Sequence, residues 1–129
     1  MTASPTARTL EALRRAGFVA GVVERWNAHT RTRQDLFGFL DLVAVRGDVP
    51  GVLGVQATSG ANGASRIAKI LEEPRALVWV SAGNAVQVWS WRKILVGRRR
   101  RWSARIVPIE LVGRRLEAGP AVESLELQA

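Results

Sequence analysis

The stretch Asp35-Leu36-Phe37-Gly38-Phe39-Leu40-Asp41, with Val55-Gln56-Ala57-Thr58-Ser59 after it, decides how this chain is read. Both segments set polar side chains inside apolar runs of strand-like composition. An unpaired carboxylate in a dry sheet is costly, so Asp41, among Phe39, Leu40, Leu42 and Val43, calls for a partner cation or a bound metal. Side chains alternate with period two along a strand, so Gln56 and Thr58 share a face and Ala57 offers its carbonyl between them. If the two strands pair, Asp41 approaches Gln56, and two side-chain oxygens plus a main-chain carbonyl make a seat for magnesium.

Outward from this centre, Leu36 to Val45 and Val52 to Thr58 are apolar on both faces, which predicts central, neighbouring strands. Upstream, Leu10, Leu13 and more weakly Ala12 and Ala16 recur at helical spacing, predicting a helix over 6–16 closed by Gly17. Phe18 to Trp26 reads as a strand and Asn27 to Arg33 as a polar link. Downstream, Ser59-Gly60-Ala61-Asn62-Gly63 leads into a helix that buries Ile67, Ile70 and Leu71 and leaves Arg66 and Lys69 on another side. Pro74 opens a second helix to Ala82 with Gly83 as cap, although Leu77-Val78-Trp79-Val80 fits a strand on propensity. Ala85 to Arg92 and Trp102 to Leu111 read as an antiparallel pair across Gly97 and the arginine run. A single domain over 1–129 is expected, with 114–129 a loosely held tail. Its fold class is α/β, a mixed central sheet flanked by helices.

The chain has 129 residues, 47% of them hydrophobic, enough to bury a core. No apolar run is long enough to cross a bilayer and the first residues lack a signal-peptide pattern, so an intracellular protein is expected, in the cytoplasm of a bacterial cell or a phage-infected host. Without cysteine there is no disulfide or thiolate zinc site, and the lone His29 disfavours a histidine metal cage or a Ser-His-Asp triad. Any metal is therefore held by oxygen, which favours Mg²⁺ or Mn²⁺. The formal charge of +8 points to a polyanion, with nucleic acid first. Only Lys69 and Lys93 are lysines, so the positive charge is almost all guanidinium. Ser59 to Gly63 lacks the Lys-Ser/Thr of a P-loop, and a nucleotide cofactor is not expected.

On these residues the chain resembles the PD-(D/E)XK nuclease superfamily, in particular its Holliday junction resolvase-like and phage-encoded members. Leu40-Asp41-Leu42-Val43-Ala44 stands as the acid motif and Gln56-Ala57-Thr58 in the place of Glu-X-Lys, within an element order that covers roughly Leu10 to Ile109. The resemblance implies a restriction-endonuclease-like αβββαβ core and a Mg²⁺- or Mn²⁺-dependent DNA endonuclease selective for structures such as junctions or flaps. Carried over by position, Asp41 is the metal-binding acid, Gln56 the second ligand, Ala57 a carbonyl ligand, and Thr58 occupies the catalytic lysine position. Threonine cannot supply the lysine's charge, and Lys69 on the following helix is the candidate replacement. Asp35 or Glu24 is the candidate for the carboxylate that Gln56 does not provide. Arg31, Arg33, Arg66, Arg92, Lys93, Arg98, Arg99, Arg100 and Arg101 are the candidate DNA-gripping cations, and a homodimer is expected for two-strand cutting.

The rival reading is a nuclease-fold DNA-binding module that has lost its chemistry, supported by Thr58 itself; a third is a dimerisation domain with nonspecific basic charge. At residue level, Asp41 pairing with an arginine and Glu24 pairing with Arg25 on the surface are the plainer alternatives. Trp79, Trp89, Trp91 and Trp102 suit a core or a subunit interface better than base stacking, and Trp89 and Trp91 share the face where a second copy would sit.

Overall fold

The computed structural model describes residues 3–125. Ser4 caps the first helix, α1 (Pro5–Arg15), through its Oγ, which accepts the Ala7 N–H at 3.1 Å, and Pro5 occupies the first turn, where its missing N–H costs nothing. Gly17, at φ 90°, turns the chain out of the helix into β1 (Val19–Val22). After β2 (Arg25–Asn27) and β3 (Thr32–Gln34) come β4 (Leu42–Arg46) and the long β5 (Val49–Ser59). A 3₁₀ turn over Gly60–Asn62 leads to α2 (Gly63–Leu71) and α3 (Pro74–Ser81). The chain finishes with β6 (Ala85–Val96), β7 (Arg99–Val112), β8 (Arg115–Ala118) and β9 (Val122–Leu125).

These elements make a mixed α/β fold. One sheet runs in the order β1-β4-β5-β6-β7-β8, with β9 also paired to β7. Every neighbouring pair is antiparallel except β5 and β6, whose parallel register requires the crossover that α2 and α3 supply. The sheet is buried on both faces. On the α1 side Leu13 packs with Leu42, Val55, Trp89 and Trp91, and on the α2–α3 side Phe39 and Leu40 pack with Ile70, Ala76, Val88 and Ile109. A fully buried leucine of this kind contributes about 1.5–3 kcal/mol. Trp91 donates its indole N–H to Thr9 Oγ1 at 2.8 Å, and that hydroxyl donates to the Pro5 carbonyl, so both of these buried polar groups under α1 are satisfied. The Trp89–Trp91 face is therefore core beneath α1 and not a subunit interface. Among the described residues no helix is long and apolar enough to cross a membrane.

Four expectations are corrected. Phe18 to Trp26 is not one strand: β1 ends at Val22, and β2 and β3 pair with each other as a separate two-stranded arm. The polar link Asn27 to Arg33 is the turn and second strand of that arm, organised by Asn27 Oδ1, which accepts the N–H groups of His29 at 2.9 Å and Thr30 at 3.3 Å. Leu36 to Val45 is a strand only from Leu42, because residues 35–41 fold back on themselves, with Leu36 bridged to Leu40 and left-handed backbone at Phe37 (φ 55°) and Gly38 (φ 80°). The tail after Gly113 is not loose along its described length, since β8 and β9 extend the sheet from β7; residues 126–129 lie outside the described residues.

Close packing over β5 yields a stability prediction. A Cβ at Gly54 would lie 2.5 Å from Leu40 Cδ2 and 3.2 Å from Trp79, and the wholly buried Leu40 has little room to give. Gly54→Ala is expected to destabilise the fold by about 1–3 kcal/mol, read as a lower urea midpoint at unchanged m-value.

Candidate metal centre

The centre lies where the β4–β5 ladder ends. Leu42 pairs with Val55, and the Asp41 N–H donates to the Val55 carbonyl at 2.9 Å. Beyond that bond the Asp41 carboxylate takes the place of a strand partner: its Oδ2 accepts the Ala57 N–H at 2.8 Å and the Gln56 side-chain N–H at 2.8 Å. In an extended strand the N–H and C=O of one residue point to the same edge, so the Ala57 carbonyl also faces this gap. Asp41 is 4% exposed, and among the described residues no arginine forms an ion pair with it; its hydrogen bonds run to Gln56, Ala57 and the Asp35 carboxyl.

The other two acids come from the arm. Arg25 pairs with Gln34 in its register, and continuing by one rung sets Glu24 opposite Asp35 at the base. Like charges directly opposed across strands are destabilising, so this rung is costly unless a cation joins it. The main chain fixes the rung to the sheet, because the N–H groups of Val23 and Glu24 both point to the Asp41 carbonyl, at 2.8 and 3.4 Å. Carboxylate oxygens of Glu24, Asp35 and Asp41 consequently all lie within 4.8 Å of one another. Gln56 Nε2 also reaches Asp35 Oδ2 at 3.4 Å. Gln56 thus turns its nitrogen to the acids and holds them in place, where the sequence suggested a ligand oxygen.

An all-oxygen set of this size fits a hard divalent ion. Opposite ligands of octahedral Mg²⁺ stand about 4.2 Å apart, a small closure from the separation present here. The electrostatics agree: the Asp41 carboxyl is pushed up to about 8, chiefly by burial, then by hydrogen bonding with Asp35, against the opposing Ala57 N–H, with repulsion from Asp35 and Glu24 adding to it. An incoming cation reverses each of the charge-related causes.

Around the acids is a cavity of about 690 Å³ whose wall carries Arg33, Arg66, Lys69 and Arg75. Arg66 and Lys69 are three apart on α2 and share a face. Arg33 reaches Glu24 at 3.2 Å. Arg75 projects from the start of α3 to the 35–41 turn, its guanidinium 2.6 Å from where a Cβ on Gly38 would sit, while the left-handed backbone at Gly38 (φ 80°) is what favours glycine there. Glu24, Asp35, Asp41, Gln56, Ala57, Lys69, Arg33 and Arg66 therefore all line this one cavity. Thr58 does not: it is buried, and its register partner is Ser90.

The remaining basic candidates stand apart. Arg31 is exposed at the turn of the arm, in left-handed backbone (φ 54°). Gln56 pairs with Val88, so at roughly 3.3 Å per residue Arg92 lies about 13 Å farther along β6 and the β6–β7 turn about 30 Å. Arg92 is tied to Glu123 at 3.2 Å, Lys93 lies 5.4 Å from the Trp102 ring, Arg98, Arg99 and Arg100 are exposed at the ribbon's end, and Arg101 is half-buried. Arg75 and Thr6 line the cavity without having been expected there. For Arg75 a signal existed: a cation in the first turn of a helix opposes the helix dipole and asks for another reason to be there.

The raised Asp41 carboxyl makes a signed prediction. Between about pH 4 and about pH 8 the folded chain keeps a proton that the unfolded chain releases, so metal-free stability falls as pH rises through this window. Asp41→Asn is expected to flatten that slope, and the thermal shift given by Mn²⁺ to the parent to grow over the same range, both measured by calorimetric melting in a pH series. An unchanged slope in the variant would contradict the assignment.

No protein-family model, curated protein or solved structure matches this chain.

Proposed function

We propose that the chain is a divalent-metal-dependent DNA endonuclease of the PD-(D/E)XK type. The observation that carries this reading is one cavity with three converging carboxylates at its floor and four cationic side chains on its wall. The element order supports it too: a helix, the antiparallel strands β1, β4 and β5, two helices, then β6 parallel to β5, as the αβββαβ core requires, with β2–β3 inserted as an arm.

Asp41, Asp35 and Glu24 would hold Mg²⁺ or Mn²⁺ with the Ala57 carbonyl, and Gln56 keeps Asp41 and Asp35 at their spacing. When bound, the ion supplies Lewis-acid polarisation of a phosphoryl oxygen and of the attacking water. Lys69 takes over the charge-offsetting task that Thr58 cannot perform, because it reaches the cavity from α2 while Thr58 is buried behind it. Arg33, Arg66 and Arg75 seat the phosphates on either side of the scissile bond. The β6–β7 arginines extend the grip along the backbone, which favours recognition by DNA shape over sequence. Two copies of the chain would cut both strands of a symmetric junction.

The rival, a nuclease-fold module that binds DNA without cutting it, is favoured by Gln56 and Thr58 in place of Glu-X-Lys. Cleavage of junction, flap and linear duplex DNA with Mg²⁺ or Mn²⁺ separates the two. The parent is expected to cut, Asp41→Asn to lose at least about a hundredfold in rate, and Lys69→Ala to lose roughly ten- to a thousandfold with binding largely retained. A parent that binds tightly yet never cuts would favour the module, and an Asp41→Asn variant as fast as the parent would remove Asp41 from the chemistry.

A further inference from the structure

Among the exposed large hydrophobic side chains, Trp26 is the only tryptophan, at 60% exposure. Its position makes it more than a stray apolar residue. Trp26 lies on β2 opposite Arg33, two residues from Glu24, and strand alternation puts Trp26, Arg33, Glu24 and Asp35 on one face of the arm. The indole thus stands about 7 Å beyond the acid rung, on the side of the arm that carries two of the three carboxylates. A second cavity, of about 290 Å³, is bordered by Trp26 together with Arg25, Asn27 and Gln34, which by the same alternation belong to the arm's other face, and by Ala28 and His29 of its turn; Gln34 borders the acid cavity as well. Arg33 is the register partner of Trp26 and reaches Glu24 at 3.2 Å, while the exposed Arg25 and Arg31 add positive charge elsewhere on the same arm.

We infer that the β2–β3 arm is a stacking site for an unpaired nucleobase, with Trp26 as its platform, and that this site selects DNA with unpaired nucleotides next to the bond to be cut. The inference rests on the nuclease reading for the identity of the strand. An aromatic side chain stacks on a base only if the π-face is open, and within a duplex both faces are covered by neighbouring pairs. A spacing of about 7 Å between platform and acids corresponds to one or two nucleotide steps, so a strand whose phosphate sits over Asp41 presents its next bases to Trp26. Arg33, between the two, contacts the intervening phosphate. Among the described residues β2 and β3 pair only with each other, and every residue of these two strands is exposed or half-buried, so the ring is not held by a core.

Binding, not cleavage, tests this. All proteins carry Asp41→Asn and are assayed in EDTA against a flap DNA, a fully paired duplex of the same length, and the flap with an abasic residue at each of the first two unpaired positions. Adding Trp26→Ala is expected to weaken flap binding roughly five- to a hundredfold while changing duplex binding less than twofold. Trp26→Phe should restore most of the loss, and one of the abasic flaps should bind equally with and without Trp26. Equal losses on flap and duplex, no loss on either, or an unabated loss on both abasic flaps would overturn the stacking site. Because no cleavage is read, a failure of the nuclease chemistry leaves this result standing, and a cutting enzyme indifferent to Trp26 removes only this inference.

Discussion

The structure turns on a single electrostatic cost: three carboxylates gathered at the point where two central strands part. Asp41 replaces a strand partner for Ala57, which buries it, and the arm then delivers Glu24 and Asp35 to the same spot. Left alone, such a trio must retain a proton, which is what the elevated Asp41 carboxyl expresses. Folds tolerate an arrangement of this kind where function supplies the missing charge.

The centre is assembled from two bodies held together by few bonds. Asp41, Gln56 and Ala57 belong to the sheet, locked by the ladder to β6 and by packing under both helical layers. Glu24 and Asp35 belong to the arm, which meets the sheet through the Asp41 carbonyl and the 35–41 turn. On the proposed reading, the sheet residues would set the position of an ion and the acids of the arm would complete its shell. The cationic wall comes from a third source, the α2–α3 crossover that the parallel β5–β6 pair demands.

Much of this was legible in the sequence because it followed local rules. Pro74 marked the start of α3, Gly17 ended α1, and the alternation through Gln56 and Thr58 placed both on one face of a buried strand. Asp41 stood out because a charge inside an apolar run has few explanations. What escaped was set by tertiary context. Leu36 to Leu40 has strand composition, but Gly38 allows the left-handed backbone that folds it into a turn, and composition does not distinguish the two. The arm was hidden because its strands are three residues each and, apart from Trp26, polar, too short for a periodicity signal. The role of Thr58 was misplaced for a similar reason: period two gives the face, not how far along it the cavity extends.

The most direct test of the central claim is a crystal of the protein soaked in Mn²⁺ and measured at an anomalous wavelength. The account predicts a single strong peak about 2.1 Å from carboxylate oxygens of Asp41 and at least one of Asp35 and Glu24. A map with no peak there, or one whose only peaks lie on acids elsewhere, would contradict it.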